Sequence, residues 1–224
     1  MYLYATMTES KISIKKRKIR SFFLAFERRD RTEGDIENEL LTTGLEYIQM
    51  KLPVDKITPE FENKITEKVK WNILRAKIRE AKLEDLESVV ALYNRSWMTS
   101  NTPYSPISAN SLKIIYEYPE TLILVARAYG SDAAFVILDF EGGSKEYGVI
   151  AGLGVLPRFQ RKGLGTVIGM AAWNHFKKKG VKELRCEVFK NNKVSHNFIK
   201  SIGFEEFARK TYKSEDFYPD SKND

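Results

Sequence analysis

Apolar and polar residues recur with two different periods along the chain, and these periods divide it into elements. From residue 77 onward, short runs rich in branched and aromatic residues predict strands at 78–81, 121–128, 133–140, 146–156, 181–189 and 204–212. Apolar residues at helical spacing predict helices at 83–97, 108–118, 163–179 and 192–201. The order β, α, α, β, β, β, α, β, α, β predicts a mixed α/β sheet with helices on its faces.

Residues 1–74 have a different pattern. The segment KISIKKRKIR (11–20) holds six basic residues and no acidic one. Helical spacing predicts a helix through Ile36, Leu40, Leu41, Leu45 and Ile48. A second helix is expected to begin at Thr58-Pro59-Glu60 and to run to about Trp71. We therefore expect a small helical N-terminal extension with a basic arm (1–74), a main domain (75–213) and a short tail (214–224).

The composition of the chain restricts the classes of ligand and the cell compartment that we expect for it. The net charge of +7 over 224 residues favours anionic partners: a polyphosphate cofactor, nucleic acid or an acidic surface. The chain has one cysteine, Cys186, and two histidines, so we expect neither an intramolecular disulfide nor a metal site. No apolar run approaches the ~20 residues of a membrane span, and no secretory signal is evident. A cytoplasmic protein without membrane contact is expected.

The most informative stretch is VLPRFQRKGLGT (155–166), in which a strand ends, a loop follows and a helix begins. Helix N-termini expose unpaired N–H groups and partial positive charge. Gly163 and Gly165 would let phosphates approach the backbone, and basic side chains add charge at the same place: Arg158, Arg161 and Lys162. The triphosphate-binding pattern is absent, and the dinucleotide pattern fails at Pro157. The loop therefore predicts a pyrophosphate site.

This loop resembles the acetyl-CoA loop of the GNAT superfamily of N-acetyltransferases, whose pattern [QR]-x-x-G-x-[GA] is matched by QRKGLG (160–165). The preceding V-x-P also matches, at Val155 and Pro157. A second family segment resembles NKVSHNFIKSIGF (192–204). The order of elements from residue 78 to about 212 is similar to that of the family throughout.

The resemblance implies a mostly antiparallel central sheet flanked by helices and acetyl-CoA as cosubstrate, with no metal. It implies that backbone groups near Leu153 and Val155 hold the pantetheine arm, that amides of residues 160–166 hold the pyrophosphate, and that Asn192 and Ser195 line the cofactor groove. The complete set of cofactor-binding residues expected on this basis is Leu153, Val155, Gln160, Arg161, Lys162, Gly163, Leu164, Gly165, Thr166, Asn192, Ser195 and Phe198.

Glu187 is the candidate catalytic base. It lies five residues before Asn192, and the segment resembles ribosomal-protein-type N-terminal acetyltransferases, in which a glutamate at that position is the base. A solvated charge paired with Lys182 or Arg185 is an equally weighted alternative. Two positions depart from the family: Ile199 stands where many members have an acid tyrosine, and Val149 where histone-type enzymes have a glutamate.

Other residues are interpreted more simply. Tyr212 and Tyr147 could reach the site, although tyrosines at such positions more often pack. His196 is expected to face outward and Cys186 to be buried. The family resemblance would place Trp97 and Tyr104 in the acceptor groove. Core packing would explain Trp97 equally well.

We therefore expect transfer of acetyl from acetyl-CoA to a primary amine, which could be a protein N-terminus. The alternatives are a small amine acceptor, a non-catalytic acyl-CoA sensor, or a module that contacts nucleic acid through its basic arm, for which a solvated arm is the preferred interpretation. The sequence leaves a homodimer open.

Overall fold

The computed structural model describes residues 43–69, 75–97 and 108–213. Its strands are β1 (Leu45–Pro53), β2 (Lys77–Glu80), β3 (Leu122–Ala128), β4 (Ser131–Glu141), β5 (Tyr147–Val155), β6 (Glu183–Phe189) and β7 (Glu205–Tyr212). Its helices are α1 (Pro59–Val69), α2 (Leu86–Trp97), α3 (Ala109–Tyr116), α4 (Leu164–Lys178) and α5 (Lys193–Ser201).

The strands form one sheet in the order β2-β3-β4-β5-β6-β1-β7. Every neighbouring pair is antiparallel except β5 and β6, which run parallel. The prediction of a mixed, mostly antiparallel sheet flanked by helices is confirmed.

Helices cover the two faces of the sheet. Tyr93 of α2 meets Phe135 of β4 at 6.3 Å between ring centroids, whereas Phe176 of α4 meets Phe140 edge-on at 5.4 Å. Side chains alternate along β4, so these contacts place α2 and α4 on opposite faces. A Cβ on Gly148 would lie 2.5 Å from the Phe176 ring, so this close packing of α4 requires glycine.

The strand β1 corrects one prediction. Leu45 and Ile48 were assigned to a helix by their spacing, but Leu45–Pro53 is a strand between β6 and β7. It is buried on both faces: Tyr47 is fully enclosed on one side and Met50 on the other. Leu45 and Ile48 also continue the helical spacing of the apolar residues before them, and this spacing outweighed the alternation of buried and half-buried residues in Ile48–Leu52. A boundary between residues 74 and 75 would separate β1 from its sheet.

The helix predicted to begin at Thr58 is confirmed by α1, because the Thr58 hydroxyl accepts the N–H of Phe61 at 3.2 Å. α1 packs on α4 through Phe61 and Trp173, whose rings lie 5.7 Å apart. Within the described part of the chain, none of the helices has the length and hydrophobicity to cross a bilayer. The basic segment 11–20 and the tail 214–224 lie outside the described residues.

Candidate functional site

The parallel strands β5 and β6 pair only at their beginnings. Tyr147 to Val149 align with Glu183 to Arg185, and beyond these residues no register pair joins the two strands in the described structure. β5 also has an irregularity opposite β4, because Ile137 pairs with Gly152 and Leu138 with Ile150. The extra residue, Ala151, bends the strand locally. The result is a cleft between β5 and β6 in the middle of the sheet.

Two cavities meet in this cleft. The helix-side cavity, of about 130 Å³, lies between β5, β6 and α5. The sheet-face cavity, of about 310 Å³, is lined by β1, β4, β5, β6 and β7. Residues that line both are Ile150, Ala151, Cys186 and Glu187. A ligand in one cavity can therefore meet a ligand in the other at the place where the strands part.

The two cavities lie toward different faces. Directly paired residues share a face of a sheet, and the series Asp139, Val149 and Arg185 is paired across β4, β5 and β6. These three line the sheet-face cavity. Gly169 of α4 and Phe198 of α5 line the helix-side cavity. The sheet thus separates the two chambers except at the cleft.

The loop after β5 leads into the N-terminus of α4. Gly163 precedes the helix with a φ of 75°, the left-handed conformation that glycine adopts at little cost. The first intrahelical bond runs from the Val167 N–H to the Gly163 carbonyl, 3.0 Å away. The amides of Gly163 to Thr166 therefore precede the first hydrogen-bonded turn and point out of the helix. Arg161 and Lys162 are exposed beside them.

Other side chains of this loop have structural roles. The Gln160 amide donates to the Val155 carbonyl at 2.9 Å, which ties the loop to the end of β5. The Arg158 guanidinium donates to the Ser131 hydroxyl at 2.8 Å, so this base is held away from the helix N-terminus. Leu164 and Thr166 are buried, so only their backbone is available to a ligand.

The second predicted segment forms the wall of the helix-side cavity. Asn192 caps α5, because its side-chain oxygen accepts the Ser195 N–H at 3.1 Å. Asn192, Ser195 and Phe198 line the cavity together with Leu153 of β5. A Cβ on Gly165 would lie 3.2 Å from the Phe198 ring, so the glycine lets α5 approach the start of α4. One predicted residue of the first segment, Leu153, thus shares a chamber with the three of the second, whereas residues 160–166 lie outside its lining.

Glu187 lies at the junction of the two cavities. Both of its carboxylate oxygens accept a hydrogen bond from the Tyr212 hydroxyl, each at 2.9 Å. The Tyr212 ring is 5% exposed and packs edge-on against Tyr47 at 5.4 Å. Tyr47 in turn meets Phe189 at 5.7 Å. A buried aromatic cluster thus positions the tyrosine that contacts the carboxylate.

The sheet-face cavity has both acidic and basic residues in its lining, but two of the bases have ionic partners outside it. Arg185 donates to Glu183 at 2.7 Å, and Arg209 donates to Glu46 at 2.8 Å. The hydrogen bond from Arg209 holds the pKa of Glu46 below its usual value. Asp139, Glu141 and Glu187 are the acidic lining residues. Lys210 is the third basic lining residue, so acidic and basic side chains are equal in number among the described residues around this cavity.

The remaining predicted residues are placed as follows. Cys186 is buried, as expected. His196 does not simply face solvent, because its ring lies 2.8 Å from the Glu206 carboxylate. Tyr147 packs under the Arg185 guanidinium at 3.4 Å. Ile199 lines the helix-side cavity and Val149 the sheet-face cavity. The side chain of Trp97 and the whole of Tyr104 lie outside the described residues.

Gln49 and Asp139 are two of the sheet-face cavity residues that sequence analysis missed. Asp139 is only 7% exposed, and a lone acid inside the apolar run AAFVILDF is a signal that could have identified it. Gln49 gave no comparable signal, because its segment had been assigned to a helix. Among the described residues there is no group of three or more side chains arranged as metal ligands.

Comparison with known proteins identifies the family and the fold. The sequence model of the acetyltransferase (GNAT) family matches residues 86–204, more than half of the chain. No curated protein matches the sequence.

Among solved structures, the fold is similar to aminoglycoside acetyltransferase AAC(6')-Iy bound to a CoA-containing bisubstrate analogue, at 21% identity and a TM-score of 0.50 over 62% of this chain and 96% of that one. It is similar to the ribosomal-protein-S18-alanine N-acetyltransferase of Escherichia coli, at 22% identity and a TM-score of 0.50 over 59% and 79%. It is also similar to AAC(6')-IG of Acinetobacter haemolyticus, at 23% identity and a TM-score of 0.51 over 62% and 97%. On the evidence of the family match, this chain belongs to the acetyltransferase (GNAT) family.

Proposed function

We propose that this protein transfers the acetyl group of acetyl-CoA to a primary amine. The observation that carries the proposal is the meeting of two chambers at Glu187, where the strands β5 and β6 part. Acetyl transfer requires a donor and an acceptor to approach from different sides, and the sheet provides a separate chamber for each.

The helix-side chamber fits the donor. The amides before the first turn of α4 and the exposed Arg161 and Lys162 suit a pyrophosphate. Leu153 and Phe198 give the adjoining cavity an apolar wall for a pantetheine arm. When bound, acetyl-CoA supplies a thioester carbonyl as the electrophile. Backbone N–H groups of the free section of β5, near Val155, are the donors that would stabilise charge on an oxygen there.

The sheet-face chamber fits an amine. A primary amine with a pKa of about 10 is mostly protonated at neutral pH and cannot react as a nucleophile until it loses a proton. Glu187 is the base that takes this proton, directly or through water. The Tyr212 hydroxyl fixes the orientation of the carboxylate. Ile199 has no proton to give, whereas the Tyr212 phenol contacts the base directly.

Two classes of acceptor are tested first. One similar structure is named as an aminoglycoside acetyltransferase and another as an N-acetyltransferase of a ribosomal-protein alanine. The purified protein is mixed with acetyl-CoA and an alanine-initiated peptide, an aminoglycoside or a polyamine, and release of the CoA thiol is followed. Turnover with one of these amines supports an enzyme. Tight acetyl-CoA binding without turnover on any amine would instead support the sensor alternative.

The base is tested by Glu187→Gln, which keeps the size of the side chain. We expect acetyl-CoA affinity to be unchanged and kcat to fall by about 10² to 10⁴. The loss should shrink as pH rises, because more of the amine is then already unprotonated. Glu205→Gln is the control, since Glu205 pairs with the exposed Lys56 and lines neither cavity. A pH–rate profile of Glu187→Gln that overlays that of the wild type in height and shape would show that Glu187 is not the base.

A further inference from the structure

The strand β1 contributes to the sheet-face cavity although it lies outside the family match at residues 86–204. Within β1, Gln49 is paired with Glu187 of β6 on one side and with Ala208 of β7 on the other. Directly paired residues project from the same face, with Cβ atoms about 5 Å apart. Gln49 and Glu187 are therefore side-by-side members of the cavity lining.

The amide of Gln49 is not explained by packing. Its Nε2 is enclosed and finds no hydrogen-bond partner among the described residues. A buried donor without an acceptor destabilises the folded protein, and an apolar side chain of the same length would avoid that cost. The terminal torsion of glutamine is broad, so a small rotation turns Nε2 toward the cavity. The chain thus keeps a hydrogen-bond donor beside the candidate base.

We propose that Gln49 binds an oxygen atom of the acceptor, carried on the carbon next to the one that bears the reacting amine. This inference rests on the proposed function, because it assigns the amine of the same molecule to Glu187. Glu187 takes a proton from the nitrogen of the amine substrate. The Gln49 N–H can only donate, so the same substrate must offer it an oxygen that accepts a hydrogen bond. The first residue of a peptide, with its amine and its carbonyl, has this chemistry, and so does an amino alcohol. A polyamine has no oxygen to bind.

The test compares three amines of one shape: alaninamide, which carries a carbonyl, alaninol, which carries a hydroxyl, and 2-aminobutane, which carries neither. kcat/KM for each is measured on the wild type and on Gln49→Met. For each amine, kcat/KM on the variant is divided by kcat/KM on the wild type, so differences in basicity between the amines cancel. We expect Gln49→Met to lower kcat/KM about 10- to 100-fold for alaninamide or alaninol and less than about twofold for 2-aminobutane, the range that one lost hydrogen bond explains. Which oxygen-bearing amine is affected distinguishes a peptide carbonyl from a hydroxyl.

Lys51→Met is the matched control, because Lys51 lies two residues further on the same face of β1 and outside the cavity lining. Gln49→Leu is a second variant, and a thermal melt of each protein checks folding. An equal loss on all three amines in both variants would show that Gln49 is structural and would overturn the inference. Absence of turnover by the wild type on these three amines and also on the peptide, the aminoglycoside and the polyamine would instead refute the proposed function, and the inference with it.

Discussion

Gly163 and Gly180 lie at opposite ends of α4 and have nearly the same positive φ, 75° and 72°. Replacing either with glutamate places a side chain in the left-handed conformation, at a cost of about 1–2 kcal/mol. The new carboxylate interacts favourably with the helix dipole at position 163 and unfavourably at position 180, by about 0.3–1 kcal/mol. Gly163→Glu should therefore be the less destabilised of the two proteins.

Acetyl-CoA binding should show the opposite order. A glutamate at Gly163 puts a negative charge where the amides of α4 are proposed to hold a pyrophosphate. At an effective dielectric constant of about 20, a carboxylate ~6 Å from one phosphate charge costs about 3 kcal/mol. That energy corresponds to an increase of about 100-fold in Kd. Gly180→Glu lies at the far end of the helix and should leave Kd within about twofold of the wild-type value.

Isothermal titration calorimetry with CoA measures both affinities, and thermal melts measure both stabilities. Gly163→Ala separates the backbone effect from the charge effect, and we expect it to raise Kd less than tenfold, because one strained residue costs about 1 kcal/mol. The reasoning is refuted if Gly163→Glu binds CoA as tightly as Gly180→Glu while both are folded. The pyrophosphate would then lie elsewhere, and the glycines would serve only the turn.

Two further predictions concern Tyr212 and Asp85. Tyr212→Phe removes the hydrogen bonds to Glu187 but keeps the aromatic packing, so kcat should fall about tenfold with CoA affinity unchanged, whereas the control Tyr147→Phe should have little effect on kcat. Asp85 accepts two hydrogen bonds from Arg79, at 2.6 and 2.7 Å, and these lower the pKa of Asp85 from 3.8 to about 2. A lowered pKa stabilises the fold above pH ~4, and this stabilisation is lost as pH falls toward 2. In urea unfolding at pH 7, Asp85→Asn should be less stable than the wild type by about 1 kcal/mol, a value that allows for solvent screening. At pH 2 the two proteins should be nearly equal in stability. A constant difference in stability at both pH values would contradict this prediction.

Local patterns in the sequence were sufficient for most elements. The strands and helices after residue 77 were predicted within a few residues, because periodicity and capping depend on neighbours in the chain. Asn192 and Ser108 were placed at helix starts, and both side chains cap those helices in the structure. The glycine loop was likewise recognisable, because its strand, turn and helix are contiguous.

The sequence could not indicate that β1 lies inside the sheet. Leu45 and Ile48 fit the helical spacing of the segment before them as well as a strand, and the period of two covers only Ile48–Leu52, which is too short to decide between the two. The pairing of β1 with β6 and β7 joins segments far apart in the chain, and only tertiary packing fixes that register.

The sequence by itself therefore determined the family, the order of elements in the main domain and the strand–loop–helix that is proposed to hold the cofactor, all of which are encoded in contiguous residues. Tertiary structure alone decided how the candidate site is assembled. It brought Tyr212 of β7 onto the carboxylate of Glu187 and placed Gln49 of the neighbouring strand β1 beside that carboxylate. It also opened the cleft, because β5 and β6 stop pairing after Val149. The physical reason is that hydrogen-bond register between strands sets which side chains are neighbours, and register is a property of the folded sheet rather than of any one segment.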